Sequence, residues 1–261
     1  CLQRYIRYLI CQKLTQDNKQ VVLKQLRKLP WDESETRDFV IATLFDVRYL
    51  KFDRIDSVAA ICSGLDVFHG IGAEIADAIL EEIRLGLEEN DFNQNQPRLT
   101  YMKYLGELYA YKLINTQVLF DTLYLLIRFG LNAQLQSLDT EKNWQEEDVI
   151  VKHFGYRKLD GEEQKPFLPS TEWSDLFRIQ CICQLLETCA NYYSKFCFIF
   201  RYDRFLLYFQ QFVILKQPLP LDIEWWVDEM FDRYHYKKLA KWEDVQAAIA
   251  TIESAEMIKS D

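Results

Sequence analysis

The chain has 261 residues, of which 49% are hydrophobic and 15% aromatic, a composition typical of a folded globular protein that excludes a disordered one. Its longest apolar runs, such as 123–127 and 196–200, are far shorter than the roughly 20 residues of a membrane-spanning helix, so we expect a soluble protein. The net charge of −9 is concentrated in one region, because residues 66–91 contain eight acids and one arginine and therefore contribute −7.

Helical periodicity runs through most of the chain and two-residue alternation is scarce, so the pattern predicts an all-α protein. In chain order, the predicted helices cover residues 2–10, 21–29, 35–49, 54–68, 71–90, 98–112, 116–129, 171–192, 202–215, 221–236 and 242–257. Consecutive amphipathic helices with short connections lie antiparallel, and a series of such hairpins buries its apolar faces by stacking. We therefore predict one domain over residues 1–261, an α-solenoid of about five antiparallel helical hairpins. Because the sequence begins at Cys1, we expect it to be a segment of a longer polypeptide.

The helix predicted at 71–90 carries its acids on one side. Its apolar residues recur at every fourth position: Ile71, Ile75, Ile79, Ile83 and Leu87. At about 100° per residue, the acids of this helix fall within about 60° of one another on the opposite face. These acids, here called the acidic stripe, are Glu74, Asp77, Glu81 and Glu88. Like charges at this spacing repel by a few tenths of a kcal/mol per close pair, so the stripe favours a basic protein surface as its ligand and argues against a phosphate backbone.

The helical pattern lapses between residues 131 and 170, which is too long for an ordinary connection inside a helical domain. The polar stretches 141–147 and 160–165 favour a largely flexible insertion. The alternative is a small hairpin within 148–159, where a β-branched run is followed by aromatic residues.

Signatures of an enzyme or a metal site are missing from the sequence. The chain lacks the phosphate-loop, zinc-protease and nucleophile-elbow motifs, and His69, His153 and His235 are isolated. The seven cysteines form no C-x-x-C pair and most lie in apolar helical patterns, which indicates buried reduced thiols in an intracellular protein. We expect no catalysis, metal or cofactor.

A weaker candidate site consists of basic residues in the first two predicted helices. If those helices pair, the basic side chains would approach one another with Tyr5 and Tyr8 among them, an arrangement that suits RNA backbone contact and base stacking. The alternative is a solvated face with tyrosines in the core. The basic residues are Arg4, Arg7, Lys24, Arg27 and Lys28.

Adjacent Trp225 and Trp226 cannot both point into one core layer. We therefore expect one of them to contribute to an exposed patch, with coverage of a neighbouring helix as the alternative.

Residues 101–114 contain the run L-G-E-L-Y followed by basic and apolar residues, and this hairpin resembles the middle domain of translation initiation factor four-gamma and its relatives. Gly106 would let two helices approach closely there, with Leu105, Leu108 and Leu113 packed around it. A narrower resemblance covers most of the chain, to the third middle domain of the up-frameshift-two family of nonsense-mediated mRNA decay factors. It rests on the sequence blocks 27–31, 80–88, 176–179, 185–189, 205–210 and 220–223.

The resemblance implies a HEAT-like stack of helical hairpins that acts as a protein-binding scaffold. In that family, the third middle domain docks the basic RNA-recognition-type domain of up-frameshift protein three and so links the exon junction complex to the decay helicase. Acids of one helix make the contact, and the matching positions here are Asp77, Glu81 and Glu88. We add Glu74 and the lone Arg84 of the same helix as partner-binding candidates, and we expect a monomer located in the cytoplasm or around the nucleus.

The alternative function is that of an initiation-factor middle domain, which binds RNA or stimulates a helicase. Residues 101–114 and the basic cluster support it. Two departures from the family pattern, the long segment after Gly130 and a short connection between Phe212 and Pro220, lie outside the acidic helix.

Overall fold

A computed structural model describes the chain at residues 1–48, 50–129, 173–190 and 199–260. Within these ranges the regular structure is helical, without a strand, which confirms the predicted all-α class. The α-helices are α1 (Leu2–Arg7), α2 (Lys19–Leu26), α3 (Ser34–Phe45), α4 (Ile55–His69), α5 (Gly72–Glu89), α6 (Asn95–Ala110), α7 (Thr116–Arg128), α8 (Trp173–Cys189), α9 (Ile199–Leu215), α10 (Leu221–Arg233) and α11 (Trp242–Ser260). A π-helical turn at Tyr8–Lys13 follows α1, and 3₁₀ turns at Phe52–Arg54 and Phe92–Gln94 precede α4 and α6. None of the described helices is long and apolar enough to cross a membrane.

Several predicted boundaries are wrong by three or four residues, and the start of α6 is one of them. The sequence pattern suggested a loop as far as Pro97, whereas α6 begins at Asn95. Proline is tolerated in the first turn of a helix because the N–H that it lacks would have no intrahelical acceptor there.

The chain forms two compact units, one made of residues 1–123 and 180–199, the other of residues 124–179 and 200–261. In the first unit the helices alternate between two layers. Helix α3 packs between α1 and α5 in one layer, and α4 packs between α2 and α6 in the other. Helix α5 also packs against α6, so consecutive antiparallel helices join the layers. This arrangement is the predicted stack of helical hairpins.

The close approach predicted at Gly106 is present in the first unit. A Cβ atom added to Gly106 would lie 2.7 Å from Cβ of Thr188, so only glycine allows α6 and α8 this contact. Nearby, the buried Tyr104 hydroxyl donates to the backbone oxygen of Leu44 at 3.1 Å and lies 3.1 Å from Sγ of Cys62. Burial raises the pKa of the Cys62 thiol to about 12. Cys181, Cys183 and Cys189 are also buried, whereas Cys1 is exposed and Cys11 half-buried.

The second unit has its own aromatic and aliphatic core. The rings of Phe209 in α9 and Phe231 in α10 have centroids 5.8 Å apart, and Leu207 of α9 packs with Val245 and Ile249 of α11. Arg178 donates to the backbone oxygens of Phe129 at 2.6 Å and Leu126 at 3.2 Å, which satisfies carbonyls at the end of α7. The insertion predicted at 131–170, its alternative hairpin, His153 and Cys197 lie outside the described residues.

Candidate functional site

Helix α5 is held in place by its ends and by its apolar side. Gly70 ends α4 with a left-handed φ of 59°, and the Gly72 N–H donates to Oδ1 of Asp66 at 2.7 Å where α5 begins. Asn90 ends α5 in the same left-handed conformation. The side chains predicted to face the core, at positions 71, 75, 79, 83 and 87, are all buried. With that side packed against α3 and α6, the polar side of α5 is turned to solvent.

All four acids of the acidic stripe are exposed, and so is Arg84. Asp77, Glu81 and Glu88 form no side-chain hydrogen bond or ion pair within the described part of the chain. Three carboxylates therefore share one helical face without an ion-paired cation, and Arg84 is the only basic residue of α5. Such a face attracts a positively charged surface and repels phosphate.

Glu74 differs from the other acids of the stripe because Arg37 of α3 binds it. The guanidinium Nη1 donates to Oε2 of Glu74 at 3.0 Å, and Nη2 donates to Oε1 in a second, shorter bond. The hydrogen bond from Arg37 lowers the pKa of the Glu74 carboxyl, and the positive charge of Arg37 adds to that effect. The structure thus separates Glu74 from the three acids that match the family motif.

Leu85 is a candidate site residue that the sequence analysis missed. It lies four residues after Glu81 and three before Glu88, and its side chain is 43% exposed. The signal was present in the sequence, because at about 100° per residue Leu85 lies about 80° from Asp77 and therefore on the edge of the stripe. An apolar side chain among unpaired acids supplies the hydrophobic contact that charges alone do not give.

The basic cluster is exposed, and the predicted first helix meets α2 through its π-helical end, where Lys13 donates to Oε1 of Gln25 at 3.1 Å. Helix α1 packs on α3, where Arg7 lies over the Phe39 ring at 5.7 Å, whereas α2 packs on α4. Arg4, Lys24 and Lys28 are exposed as well. The alternative of core tyrosines is wrong, since Tyr5 and Tyr8 are exposed. Hairpin stacking explains why α1 and α2 have additional neighbours, because it brings alternate helices of the same layer together.

A different aromatic group accompanies the basic residues of α2. The Arg27 guanidinium lies 4.4 Å from the centroid of the Phe68 ring and donates to the backbone oxygen of Gly64 at 2.7 Å. Phe68 remains 64% exposed. Next to it, His69 stacks on Trp31 with centroids 3.8 Å apart. Burial lowers the pKa of His69, and the charges of Arg27 and Arg37 lower it further.

We call the group formed by α2 and the end of α4 the basic–aromatic patch. Its members are the exposed Lys24, Arg27, Lys28 and Phe68 and the half-buried His69. Within the described ranges, no group of histidines, cysteines and acids is arranged to hold a metal ion. The structure thus has two candidate sites, the acidic stripe and the basic–aromatic patch.

The chain matches a known domain family and is similar to several named proteins. The MIF4G domain family matches residues 4–238. The chain is 34% identical, over 99% of its length, to the "Regulator of nonsense transcripts UPF2" of Arabidopsis thaliana, and 31% identical, over 88%, to "Regulator of nonsense transcripts 2" of Homo sapiens. It is 24% identical, over 89%, to "Nonsense-mediated mRNA decay protein 2" of Saccharomyces cerevisiae. The chain spans 19%, 17% and 19% of the lengths of these relatives.

Proposed function

Because this chain belongs to the MIF4G domain family, we propose that it is a protein-binding scaffold of nonsense-mediated mRNA decay. The observation that carries the proposal is the exposed face of α5, where Asp77, Glu81 and Glu88 are unpaired and Leu85 lies at the edge. The names of the relatives support the decay pathway. The proposed partner is the basic RNA-recognition-type domain of up-frameshift protein three, as the motif resemblance implies.

The carboxylates of the acidic stripe and the side chain of Leu85 contribute differently to the proposed binding. Unpaired carboxylates speed the encounter with a basic partner and orient it, while burial of Leu85 slows dissociation. Glu74 contributes less, because Arg37 already neutralises it. Exposed Arg84 lies within the same face and would disfavour a partner whose positive charge is placed opposite it.

The wider role concerns the full-length protein. We propose that the chain, as a monomer in the cytoplasm or around the nucleus, connects up-frameshift protein three and the exon junction complex to the decay helicase. The family resemblance implies that the decay helicase binds elsewhere on the full-length protein. The chain spans about a fifth of the lengths of its relatives.

A pull-down with the recognition domain of up-frameshift protein three tests the proposal, with Glu88→Arg compared against Glu89→Arg. Both acids are exposed, and both changes alter the net charge equally at the same end of α5. At about 100° per residue, however, Glu89 points about 100° away from Glu88 and lies outside the stripe. We expect Glu88→Arg to lose the partner and Glu89→Arg to retain it. Equal capture by the two variants would rule out a dock at the stripe.

RNA binding is the second candidate function, and the basic–aromatic patch favours it. The Arg27 guanidinium packed on exposed Phe68 places a cation beside a ring on which a base can stack. Titration with single-stranded RNA tests it. We expect steeply salt-dependent binding that is abolished by Arg27→Glu with Lys28→Glu and kept in Glu88→Arg. Loss of RNA binding in Glu88→Arg, or no binding at all, would contradict it.

A further inference from the structure

Helix α10, in the second compact unit, presents two large apolar side chains to solvent. Leu221 is 82% exposed, and Trp225, one helical turn later, is 67% exposed, whereas the adjacent Trp226 is half-buried. The opposite side of the helix lies in the core, to which it contributes Ile223, Val227, Met230 and Phe231. Since that side already packs α10 against α9, the exposed pair is not needed to hold the helix in place.

An exposed tryptophan at this position calls for an explanation, because tryptophan is among the more buried residues on average. Leu221 and Trp225 are separated by four residues and so lie next to each other on the helix surface. Neighbouring exposed apolar side chains within a polar surround are typical of interaction sites, and tryptophan is enriched among the residues that dominate binding energy.

Carboxylates surround the apolar pair and exceed the available cations. Helix α10 contains five acids and one arginine. Two of these acids have partners, since Asp228 pairs with Lys238 and Glu229 with Arg233. The other three are exposed and form no side-chain hydrogen bond or ion pair within the part of the chain that the structure describes: Asp222, Glu224 and Asp232. At about 100° per residue, Asp232 shares the face of Leu221 and Trp225.

We propose that this face of α10 docks a lysine- or arginine-rich protein segment. A cation above the Trp225 indole is attracted to the ring, and tryptophan provides the strongest attraction of this kind. The aliphatic stem of the bound lysine or arginine then contacts Leu221, while other basic residues of the segment reach the unpaired carboxylates. The α10 face, as named here, consists of Leu221, Asp222, Glu224, Trp225 and Asp232.

The negative charge of the α10 face disfavours two other ligands, a nucleic acid and a second copy of this chain. Trp225 could stack on a nucleic acid base, but three unpaired carboxylates repel a phosphate backbone. A second copy of this chain would meet the face through the same residues in a two-fold dimer, and so bring acids against acids. The inference does not depend on the acidic stripe, because α5 belongs to the first compact unit and α10 to the second.

Fluorine NMR of the 261-residue chain labelled with fluorotryptophan tests the α10 face. The Trp225 resonance is assigned with Trp225→Phe. The titrants are a lysine- and arginine-rich peptide that contains leucine, the same peptide with glutamate at every basic position, and a single-stranded RNA oligomer. We expect the Trp225 resonance to shift with the basic peptide alone.

Variants then locate the binding. Trp225→Ala and Asp232→Lys should each weaken binding of the basic peptide about tenfold. Glu243→Lys, an equal charge change at an exposed residue of α11, and Glu88→Arg on the stripe should leave it unchanged. Because the changed side chains are exposed, the variants should keep the wild-type circular dichroism spectrum and melting temperature.

An unmoved Trp225 resonance, or wild-type affinity in Trp225→Ala, would overturn the proposal. A shift caused by RNA would assign the face to nucleic acid, and a shift caused by raising the protein concentration alone would assign it to a second copy. Each of those two results overturns it as well. Failure of the pull-down with up-frameshift protein three would leave this inference intact, because that experiment reports on α5.

Discussion

Arg37 of α3 holds the carboxylate of Glu74 through two hydrogen bonds, one of them 3.0 Å long from Nη1 to Oε2. This contact joins residues that are 37 positions apart in the chain, and it removes one member from a stripe that otherwise has no bound cation. The proposed docking surface therefore has three unpaired acids instead of four, and Arg37 lies at its edge.

The first prediction separates the acids of the stripe. Glu88→Gln should weaken binding to the recognition domain of up-frameshift protein three by about 1–3 kcal/mol, because it removes an unpaired charge from the face. Glu74→Gln should have a much smaller effect on binding, since Arg37 already offsets that charge. Arg37→Gln should slightly tighten binding, because it frees Glu74. Calorimetry measures the affinity of all three variants. Equal losses of affinity in Glu88→Gln and Glu74→Gln would show that the Arg37 contact does not affect binding.

Leu85 carries the second prediction. Leu85→Ala should weaken the same complex by about 1 kcal/mol, because a leucine beside the charged residues is buried on binding. The matched control is Leu221→Ala, which truncates a still more exposed leucine in the other compact unit and should leave this affinity unchanged. The dissociation rate of the complex compares the two variants. If Leu85→Ala and Leu221→Ala changed this rate equally, Leu85 would not lie in the interface.

A third prediction concerns the contact at Gly106. Gly106→Ala should lower the free energy of unfolding by about 1–3 kcal/mol, because the new Cβ would lie 2.7 Å from Cβ of Thr188 and force α6 and α8 apart. Gly86→Ala is the control. Its Cβ would lie 3.3 Å from Cγ of the Arg98 side chain, a longer distance than at Gly106, and alanine favours the helix, so this change should cost less than Gly106→Ala. Urea unfolding compares them, and a stable Gly106→Ala protein would contradict the packing.

The fourth prediction is a pH dependence centred on Asp56. Burial raises the pKa of this carboxyl, but hydrogen bonds from Lys19, Tyr111 and Gln16, together with the Lys19 charge, outweigh burial and lower it. Tyr111 donates at 2.8 Å and Gln16 at 3.0 Å. Since the folded state has the lower pKa, Asp56 stabilises the fold above its unfolded pKa, and this stabilisation is lost as the pH falls through the folded pKa.

Asp56→Asn should therefore lower the free energy of unfolding by about 1–3 kcal/mol at neutral pH and progressively less on acidification.

The pKa of Glu107 is shifted in the opposite direction. Burial raises its pKa, as does the charge of Asp56, so the protonated acid is favoured in the fold and its stabilisation is lost as the pH rises. Glu107→Gln should accordingly stabilise the protein at neutral pH. Denaturant titrations at several pH values measure both slopes, and a pH-independent penalty in Asp56→Asn would be the contrary result.

Periodicity was sufficient to predict the features that depend on one helix. Ile75, Ile79 and Ile83 are buried and the acids opposite them are exposed, because the helical repeat alone places them. Gly106 was predicted for a similar reason, since a glycine between leucines on a helix indicates a close neighbour.

Contacts between distant helices could not be predicted in the same way. The Arg37–Glu74 pair and the Arg27–Phe68 contact each join helices from different hairpins, and their register is determined by the stacking of the layers. Periodicity indicates which consecutive helices are neighbours, but it does not show that α1 also packs on α3 and α2 on α4. Leu85 could have been identified, since it is an apolar residue on a polar helical face. The exposure of one residue of the Trp225–Trp226 pair was predicted, and the structure shows that it is Trp225.

The central measurement is calorimetry of the double reversal Asp77→Arg with Glu88→Arg against the recognition domain of up-frameshift protein three. We predict a loss of about 2–5 kcal/mol in binding with an unchanged helical circular dichroism spectrum, because both changed residues are exposed and unpaired. Reversal of Asp222 and Glu224 in α10, which changes the net charge equally, should leave the affinity at the wild-type value. Wild-type affinity in the Asp77→Arg, Glu88→Arg protein would contradict docking through the acidic stripe.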